Sequence, residues 1–519
     1  MDTQSAGIAR DYDRVPYTSR PFPQSQPQRL AALGRLFGLT PPDVSTASVL
    51  ELGCASGGNL IPLAAQFPDA SFIGVDLSPV QIGEGQTRIS RLGLKNIRLI
   101  NMSIADITVG LGVFDYILCH GVYSWVPAPV RDAILRVSHD NLSEHGMAYV
   151  SYNVFPGWRL RGVLRDAMMF HASTAEEARD RVALGREFLD QLGKISNAGT
   201  PYGQMLRHEA TTMAQHEDYY VVHEYLETNN EPCYVKDFLD RLKIFNLSFL
   251  TEADVHLTIA ENFGTETGQL LRSLSGNCHD RMEQYIDFLT GRTFRQSIMI
   301  RGGRATTIQR NLKPNAIAGL NIATRVAPEP EATGGSFIFK DSAGRTLTTS
   351  SMQVRLAVSH LARLWPMTAT PQSLCELAGT EDAADEVISA LFSMVLAGLA
   401  DVSTVPVIAS AEISDRPRAV QLARLDARDG QTWTTNARHE TVHLNLVQQA
   451  VLPLLDGSHD REAISDSVRR LVEAGKLQFL RNGEVLVDEP AIGEAVEEHI
   501  EQALQTFQKA ALLTGAEAA

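Results

Sequence analysis

Val49-Leu-Glu51-Leu-Gly53-Cys54-Ala55-Ser56-Gly57-Gly58-Asn59 is the stretch on which the reading of this chain turns. A short apolar run enters a turn with three glycines, and a helical pattern resumes at Asn59–Gln66. Glycine takes positive φ without a Cβ penalty and lets backbone approach a ligand closely. A helix N-terminus behind such a turn favours an anionic or carboxylate group. A glycine cluster alone can equally be a tight turn, so its surroundings must decide. The next apolar run, Phe72-Ile-Gly-Val-Asp76, ends on an acid 19 residues after Gly57. An acid there can accept both hydroxyls of a ribose.

Further runs at Ile97–Ile100, Tyr116–Leu118 and Ala148–Tyr152 alternate with helical patterns at Pro79–Leu92 and Val130–Leu142. Strands spaced by helices predict βαβ units and a parallel sheet covered on both faces. The fold class is therefore α/β, Rossmann-like at its N-terminal end. Ligands of such a sheet sit outside the carboxyl ends of the strands. Two of those ends carry chemistry: Asn101-Met-Ser103-Ile104-Ala-Asp106, and Phe114-Asp-Tyr-Ile-Leu-Cys-His120-Gly-Val-Tyr123-Ser-Trp125-Val-Pro127.

The loop spells E-x-G-x-A-x-G from Glu51 to Gly57, where dinucleotide folds use G-x-G-x-x-G. It resembles motif I of class I S-adenosylmethionine-dependent methyltransferases. Tyr12-Asp-Arg-Val-Pro-Tyr17, His120–Pro127 and Ser151-Tyr-Asn-Val-Phe-Pro-Gly-Trp158 accompany it. Together they resemble bacterial methyltransferases with a methyltransferase regulatory domain, a group that includes lysine methyltransferases of outer-membrane proteins. Tyr219–Glu227, Glu283–Arg295, Arg438-His439-Glu440 and Pro453–Ser458 extend the likeness over most of the chain.

The resemblance implies S-adenosyl-L-methionine as cofactor. It assigns the cofactor to Tyr17, Glu51, Gly53, Cys54, Ala55, Gly57, Asn59, Asp76, Leu77, Gln81, Ser103, Ile104 and His120. The loop would hold the methionine moiety, Asp76 the ribose and the Ser103 segment the adenine. Ala55 stands at the middle glycine, and Ser103 where an acid usually contacts the adenine amine. Methyl transfer needs a neutral nucleophile about 3–3.5 Å from the methyl group. A lysine, with a pKa of about 10.4, is neutral in roughly one molecule per thousand near pH 7.4, a cost of about 4 kcal/mol. Desolvation offsets that cost by disfavouring the ammonium. His120, Tyr123, Trp125, Tyr152 and Asn153 are the expected catalytic groups, with Trp158 beside them.

The chain has 519 residues, 44% hydrophobic and 21% charged, with 46 Lys and Arg against 61 Asp and Glu. That is a globular composition. The net charge of −15 disfavours phosphate backbones, so no nucleic-acid partner is expected. Five scattered cysteines without a C-x-x-C suggest reduced thiols and the cytoplasm. The first residues do not look like a signal peptide. No apolar run reaches the roughly 18 residues of a membrane span; the longest, Ile388–Ala400, reads as a buried helix.

The expected organisation is a cofactor-binding domain with an N-terminal lid segment over 1–172, a helical regulatory domain over 173–300 and a linker over 301–350. A helical, winged-helix-like module over 351–410 and a C-terminal winged-helix-like module over 411–519 follow. The last module shows helix, helix, then Arg481-Asn482-Gly483-Glu484 between apolar runs, a strong hairpin signal. It has 11 Lys and Arg against 18 Asp and Glu, so protein docking is expected rather than DNA.

Two motifs compete with this reading. His439-Glu-Thr-Val-His443 fits the H-E-x-x-H of zinc proteases, with Glu462 as a third ligand. Its threonines and valine favour extended structure, so no metal site is expected. His223-Glu224 reads as a packed polar pair on a helix. The leading expectation is a protein-lysine methyltransferase with a protein substrate; a homodimer is compatible with it. The alternatives are a small-molecule methyltransferase whose downstream domains form a lid and dimer surface, and a non-enzymatic cofactor-sensing regulator.

Overall fold

The computed structural model describes residues 18–515 except 176, 228, 331–334, 380 and 482. Tyr12 and Tyr17 lie outside the described residues. Seven strands build the main sheet: β1 (Ser48–Leu52), β2 (Ser71–Asp76), β3 (Ile97–Asn101), β4 (Phe114–Cys119), β5 (Leu142–Asn153), β6 (Leu247–Glu252) and β7 (Phe294–Arg301). Their spatial order is β3-β2-β1-β4-β5-β7-β6. The first five are parallel, and β7 runs antiparallel to both β5 and β6. The α/β expectation holds, and the reversed β7 separates this sheet from a dinucleotide fold with strand order 3-2-1-4-5-6.

The expected helical domain over 173–300 differs from the structure at β6 and β7. The reason lies in Arg295, which is 1% exposed in β7. Its Nη1 donates to Glu252 Oε1 of β6 and to Glu283 Oε2, both at 2.9 Å, and its Nη2 to Asp287 Oδ1 at 2.8 Å. Glu283 and Asp287 lie on the helix His279–Thr290. A buried ion cluster thus sits beside the short apolar runs Leu247–Leu250 and Ile298–Ile300, and each charge is tolerable because it is paired.

Between β5 and β6 the chain leaves the sheet and forms a helical lobe. Its helices are Gly157–His171, Ala178–Ile195, Pro201–Ala214 and Asp218–Val221, the last continuing into a π-helical turn, Val222–Leu226. Leu164, Met168, Leu189, Leu206, Val221 and Tyr225 form its own core.

The 302–350 region is more ordered than a linker. Asn321–Thr324 pairs with Ala400–Ser403, and Ala327–Pro328, Phe337–Lys340 and Thr346–Thr349 form a small antiparallel sheet. Ile317, Leu320, Ile322 and Phe339 are buried in the core that also holds the N-terminal helix Pro27–Leu36. The helices Met352–Leu364, Pro371–Ala378 and Glu381–Leu396 pack beside it.

The C-terminal part has a separate core around Leu452, Ile464, Val468, Val496, Leu504 and Phe507. There the helices Leu446–Val451 and Arg461–Glu473 precede a hairpin, Leu480–Arg481 with Glu484–Val485. Helix, helix, hairpin is the winged-helix order expected from the sequence. Among the described residues no helix is long and apolar enough to cross a membrane.

Candidate functional site

The carboxyl ends of β1, β2, β3 and β4 open into one cavity. After β1, Gly53 and Cys54 both donate their N–H to Val75 O, at 2.8 and 3.1 Å, folding the turn back over β2. Gly53 has φ +75, and a Cβ there would lie 2.4 Å from Val122. Ala55 also adopts positive φ (49), a region costly for a residue with a Cβ. Its N–H donates to Asp76 Oδ2 at 2.8 Å, while Ser78 N donates to Asp76 Oδ1 at 2.9 Å. Asp76 therefore ties the glycine turn to the end of β2 and faces the cavity.

The first wall of the cavity comes from Glu51, Gly53, Cys54, Ala55, Asn59, Asp76, Leu77, Ser78, Gln81, Met102, Ser103 and Ile104. Apart from Ser78 and Met102, all were singled out from the sequence. Gly57 does not line it; with φ +78 and its N–H on Cys54 O at 2.8 Å, it closes the turn behind the wall. Burial pushes the Glu51 carboxyl up to about 8, with Asp76 adding to the rise and the Asn59 hydrogen bond opposing it. Burial also pushes the Cys54 thiol well above its ordinary range.

The second wall is drawn from four separate segments. His120, Val122, Trp125, Val126 and Val130 follow β4; Ser19 and Phe22 come from the N-terminal strap; Phe294 comes from β7; His223 and Glu224 come from the helical lobe. Phe22 stacks on His120 with ring centroids 3.6 Å apart and planes at 21°. His120 Nδ1 lies 2.8 Å from the Tyr149 hydroxyl. Burial holds His120 down to about 3, so its ring is neutral. Trp125 meets Trp158 edge-to-face at 6.2 Å. The strap lies close because residue 58 is glycine: a Cβ there would meet Ser19 O at 2.0 Å, and Gly58 N donates to Ser19 Oγ at 2.8 Å.

Three of the expected catalytic residues are not brought to the cavity. Tyr123 and Tyr152 pack with Phe238 in the core beneath it, at 5.3 and 4.0 Å between centroids. The Tyr152 hydroxyl is 3.0 Å from Ser297 Oγ. Asn153 Nδ2 donates to Asn230 Oδ1 at 3.3 Å, and its own N–H is taken by Ser124 Oγ at 2.9 Å. All three are nearly fully buried. All three lie near strand ends, but Tyr123 packs inward from the turn Tyr123–Trp125, and Tyr152 and Asn153 at the end of β5 are each taken up by buried partners.

His223 and Glu224 go the other way. Read as a packed pair, they face the cavity from the π-helical turn, a form frequent at functional sites. Burial raises the Glu224 carboxyl to about 7, with Arg161 and His223 opposing the rise. His223 Nδ1 is 3.2 Å from Glu227 Oε1. The signal that could have found them is the acid itself, placed in the aromatic run Tyr219–Glu227.

The sequence of the cavity-forming domain matches a known family: residues 49–146 match the family described as methyltransferase domain. Residues 217–301 match the predicted methyltransferase regulatory domain, and residues 415–512 the PKMT C-terminal winged helix domain. The chain is 34% identical over 520 residues to the Rickettsia prowazekii protein RP789, covering 97% of this chain and 93% of that one. The chain belongs to the class I S-adenosylmethionine-dependent methyltransferases with a regulatory domain. The methyltransferase is also 41% identical over 231 residues to a second R. prowazekii protein, RP028, covering 44% of this chain and 92% of the other. The structure of PKMT2 from Rickettsia typhi in complex with AdoHcy superposes with a TM-score of 0.86 at 28% identity, covering 96% of this chain and all of that one.

The first wall fits S-adenosylmethionine. Glu51 Oε2 and Gln81 Oε1 are buried on it without a partner among the described residues. Leaving such atoms unsatisfied costs about 1–3 kcal/mol each. A ligand carrying an ammonium, a sulfonium and hydrogen-bond donors meets both, and a cation beside Glu51 restores its charged form. S-Adenosylmethionine is the cofactor of this enzyme.

Proposed function

We propose that the methyltransferase methylates lysine side chains of a protein substrate in the cytoplasm. One observation carries the reading: an acid, Glu224, is set beside His223 into a wall whose other residues are mostly aromatic and apolar, in the same cavity as the glycine turn. A neutral metabolite needs no such group, whereas a lysine ammonium does. The whole-chain likeness to PKMT2 and the family match at 217–301, which contains Glu224, support it. The five free cysteines agree with a reducing compartment.

When bound, the cofactor supplies an activated methyl group on a sulfonium. The chain's own residues do the rest. Asp76, with the glycine turn fixed to it, orients the donor. Phe22, stacked on neutral His120, together with Trp125 and Phe294, excludes water from the acceptor. Their apolar surfaces lower the lysine pKa by disfavouring its ammonium. The Glu224 carboxylate receives the ammonium and accepts the proton it must lose. An acid titrating near 7 suits both tasks, because it exchanges that proton with solvent at working pH.

Cell lysate incubated with the enzyme and methyl-labelled S-adenosylmethionine tests this. Label should enter protein and emerge after hydrolysis as N-methyl-lysine. Label confined to small molecules would move the enzyme to the metabolite class.

A further inference from the structure

The H-E-x-x-H of the C-terminal domain does not lie on a helix. It forms a hairpin, Trp433–Thr435 with Thr441–His443, and His439 sits at the tip with φ +61. The tip is held by Asn436, whose Oδ1 accepts from Arg438 N at 2.9 Å and from Glu440 N at 2.8 Å. His439 is 1% exposed although it belongs to another domain. Its Nε2 lies 2.7 Å from Asn59 Oδ1.

The orientation of the Asn59 amide follows from its other partners. Phe22 N donates to the same Oδ1 at 2.9 Å. Asn59 Nδ2 donates to Glu51 Oε1 at 2.7 Å and to Ser25 Oγ at 3.1 Å. The oxygen must therefore face His439, so Nε2 carries the proton and donates. Burial holds this imidazole down to about 3, which keeps it neutral. One amide thus joins three things: the Glu51 carboxylate on the cofactor wall, the strap that places Phe22 on His120, and the tip of the C-terminal hairpin.

The same domain grips the cofactor wall a second time. Asp426 pairs with Arg88, and Asp429 receives Arg91 in a bidentate contact at 2.5 and 2.8 Å. Both arginines lie on Pro79–Leu92, the helix that presents Gln81 to the cavity. Arg438 holds the domain to the preceding module instead, 3.2 Å from Asp401 and 4.1 Å above the Trp365 ring.

We infer that His439 is a positioning residue for the cofactor site: by donating to Asn59 it fixes the amide that holds Glu51 and the Phe22 strap, so docking of the C-terminal domain and cofactor binding strengthen each other. The coupling is reciprocal by linkage. It adds to the protein docking expected of this domain a role at the cofactor site. It rests on the identity of the cofactor and not on that of the methyl acceptor.

The test uses the full chain and AdoHcy. His439→Leu keeps the volume and removes the donor, while His439→Gln keeps a donor at the same reach. Calorimetry should show AdoHcy binding about tenfold weaker in His439→Leu, the loss expected when a buried acceptor keeps Phe22 N but loses its second hydrogen bond. His439→Gln should recover most of it. Turnover at saturating cofactor should change far less than the KM for S-adenosylmethionine. In the unaltered protein, AdoHcy should slow hydrogen exchange across Trp433–His443. Wild-type affinity in His439→Leu, no recovery in His439→Gln, or unchanged exchange in that hairpin would each overturn the inference.

Discussion

The two walls of one cavity were built by different rules. The cofactor wall runs from Glu51 to Ile104 and is made largely by backbone turns at three successive strand ends. The acceptor wall combines Phe22, Trp125, Glu224 and Phe294, residues far apart in the chain. A backbone that must turn sharply beside a ligand needs glycines and a carboxylate at set spacings, and those needs are written locally. A wall of side chains needs only that distant elements pack together, which leaves no spacing to read. The cofactor wall should therefore respond steeply to single changes at its turn, and Glu224 on the other wall should affect transfer without affecting cofactor binding.

The largest effect is expected at Asp76. Its two oxygens hold Ala55 N and Ser78 N, and its position suits the ribose. Charged hydrogen bonds contribute about 1.5–3 kcal/mol each, so Asp76→Ala should weaken AdoHcy binding by about 10³-fold in calorimetry. Affinity within tenfold of wild type would show that the turn does not hold the cofactor.

A smaller, pH-dependent effect is expected at Glu51. Its carboxyl is raised to about 8 without a cationic partner. Binding the cationic cofactor draws it to its charged form and releases a proton, so affinity should climb as pH rises and level off above about 8. Glu51→Gln should flatten that profile and bind about tenfold more weakly at pH 9. Stability without cofactor should move oppositely. A carboxyl whose folded pKa lies above its unfolded value keeps the proton longer when folded, so it costs stability as pH rises from about 4.5 to about 8. Glu51→Gln should then melt higher than wild type at pH 8. Identical melting would contradict the burial of an unpaired carboxyl oxygen.

The smallest effects belong to Tyr123 and Tyr152, buried beneath the cavity. Tyr123→Phe and Tyr152→Phe keep the rings that pack on Phe238. Tyr152→Phe loses the bond to Ser297, about 1 kcal/mol, and should lower the melting temperature by a few degrees. Turnover should stay within about twofold for both. A loss of a hundredfold in either, with normal AdoHcy binding, would return them to the acceptor wall.

How far the sequence could be read follows the same division. Glu51, Gly53, Ala55, Asp76 and Ser103 were legible because strand, turn and acid recur at fixed intervals. β6 and β7 were not, because their apolar runs are short and lie among helical patterns, and the Arg295 cluster that ties them together draws its three carboxylates from other elements. Tyr123 and Tyr152 were misplaced because aromatic residues near a strand end suit a core as well as a channel. His223 and Glu224 were passed over because nothing local shows that a π-helical turn aims them at a cavity. His439 read as half of a metal motif, and only long-range packing brings it to Asn59.

Glu224→Gln tests the separation of the two walls most directly. Two quantities are measured on the same preparation: AdoHcy affinity by calorimetry, and the single-turnover rate of methyl transfer to lysine at saturating S-adenosylmethionine. Proton transfer by a positioned group contributes about 10²–10⁴-fold. Affinity should therefore stay within about twofold while transfer falls by about a hundredfold or more. Unchanged transfer, or equal losses of affinity and transfer, would contradict a cavity in which Glu224 serves the acceptor and the glycine turn serves the donor.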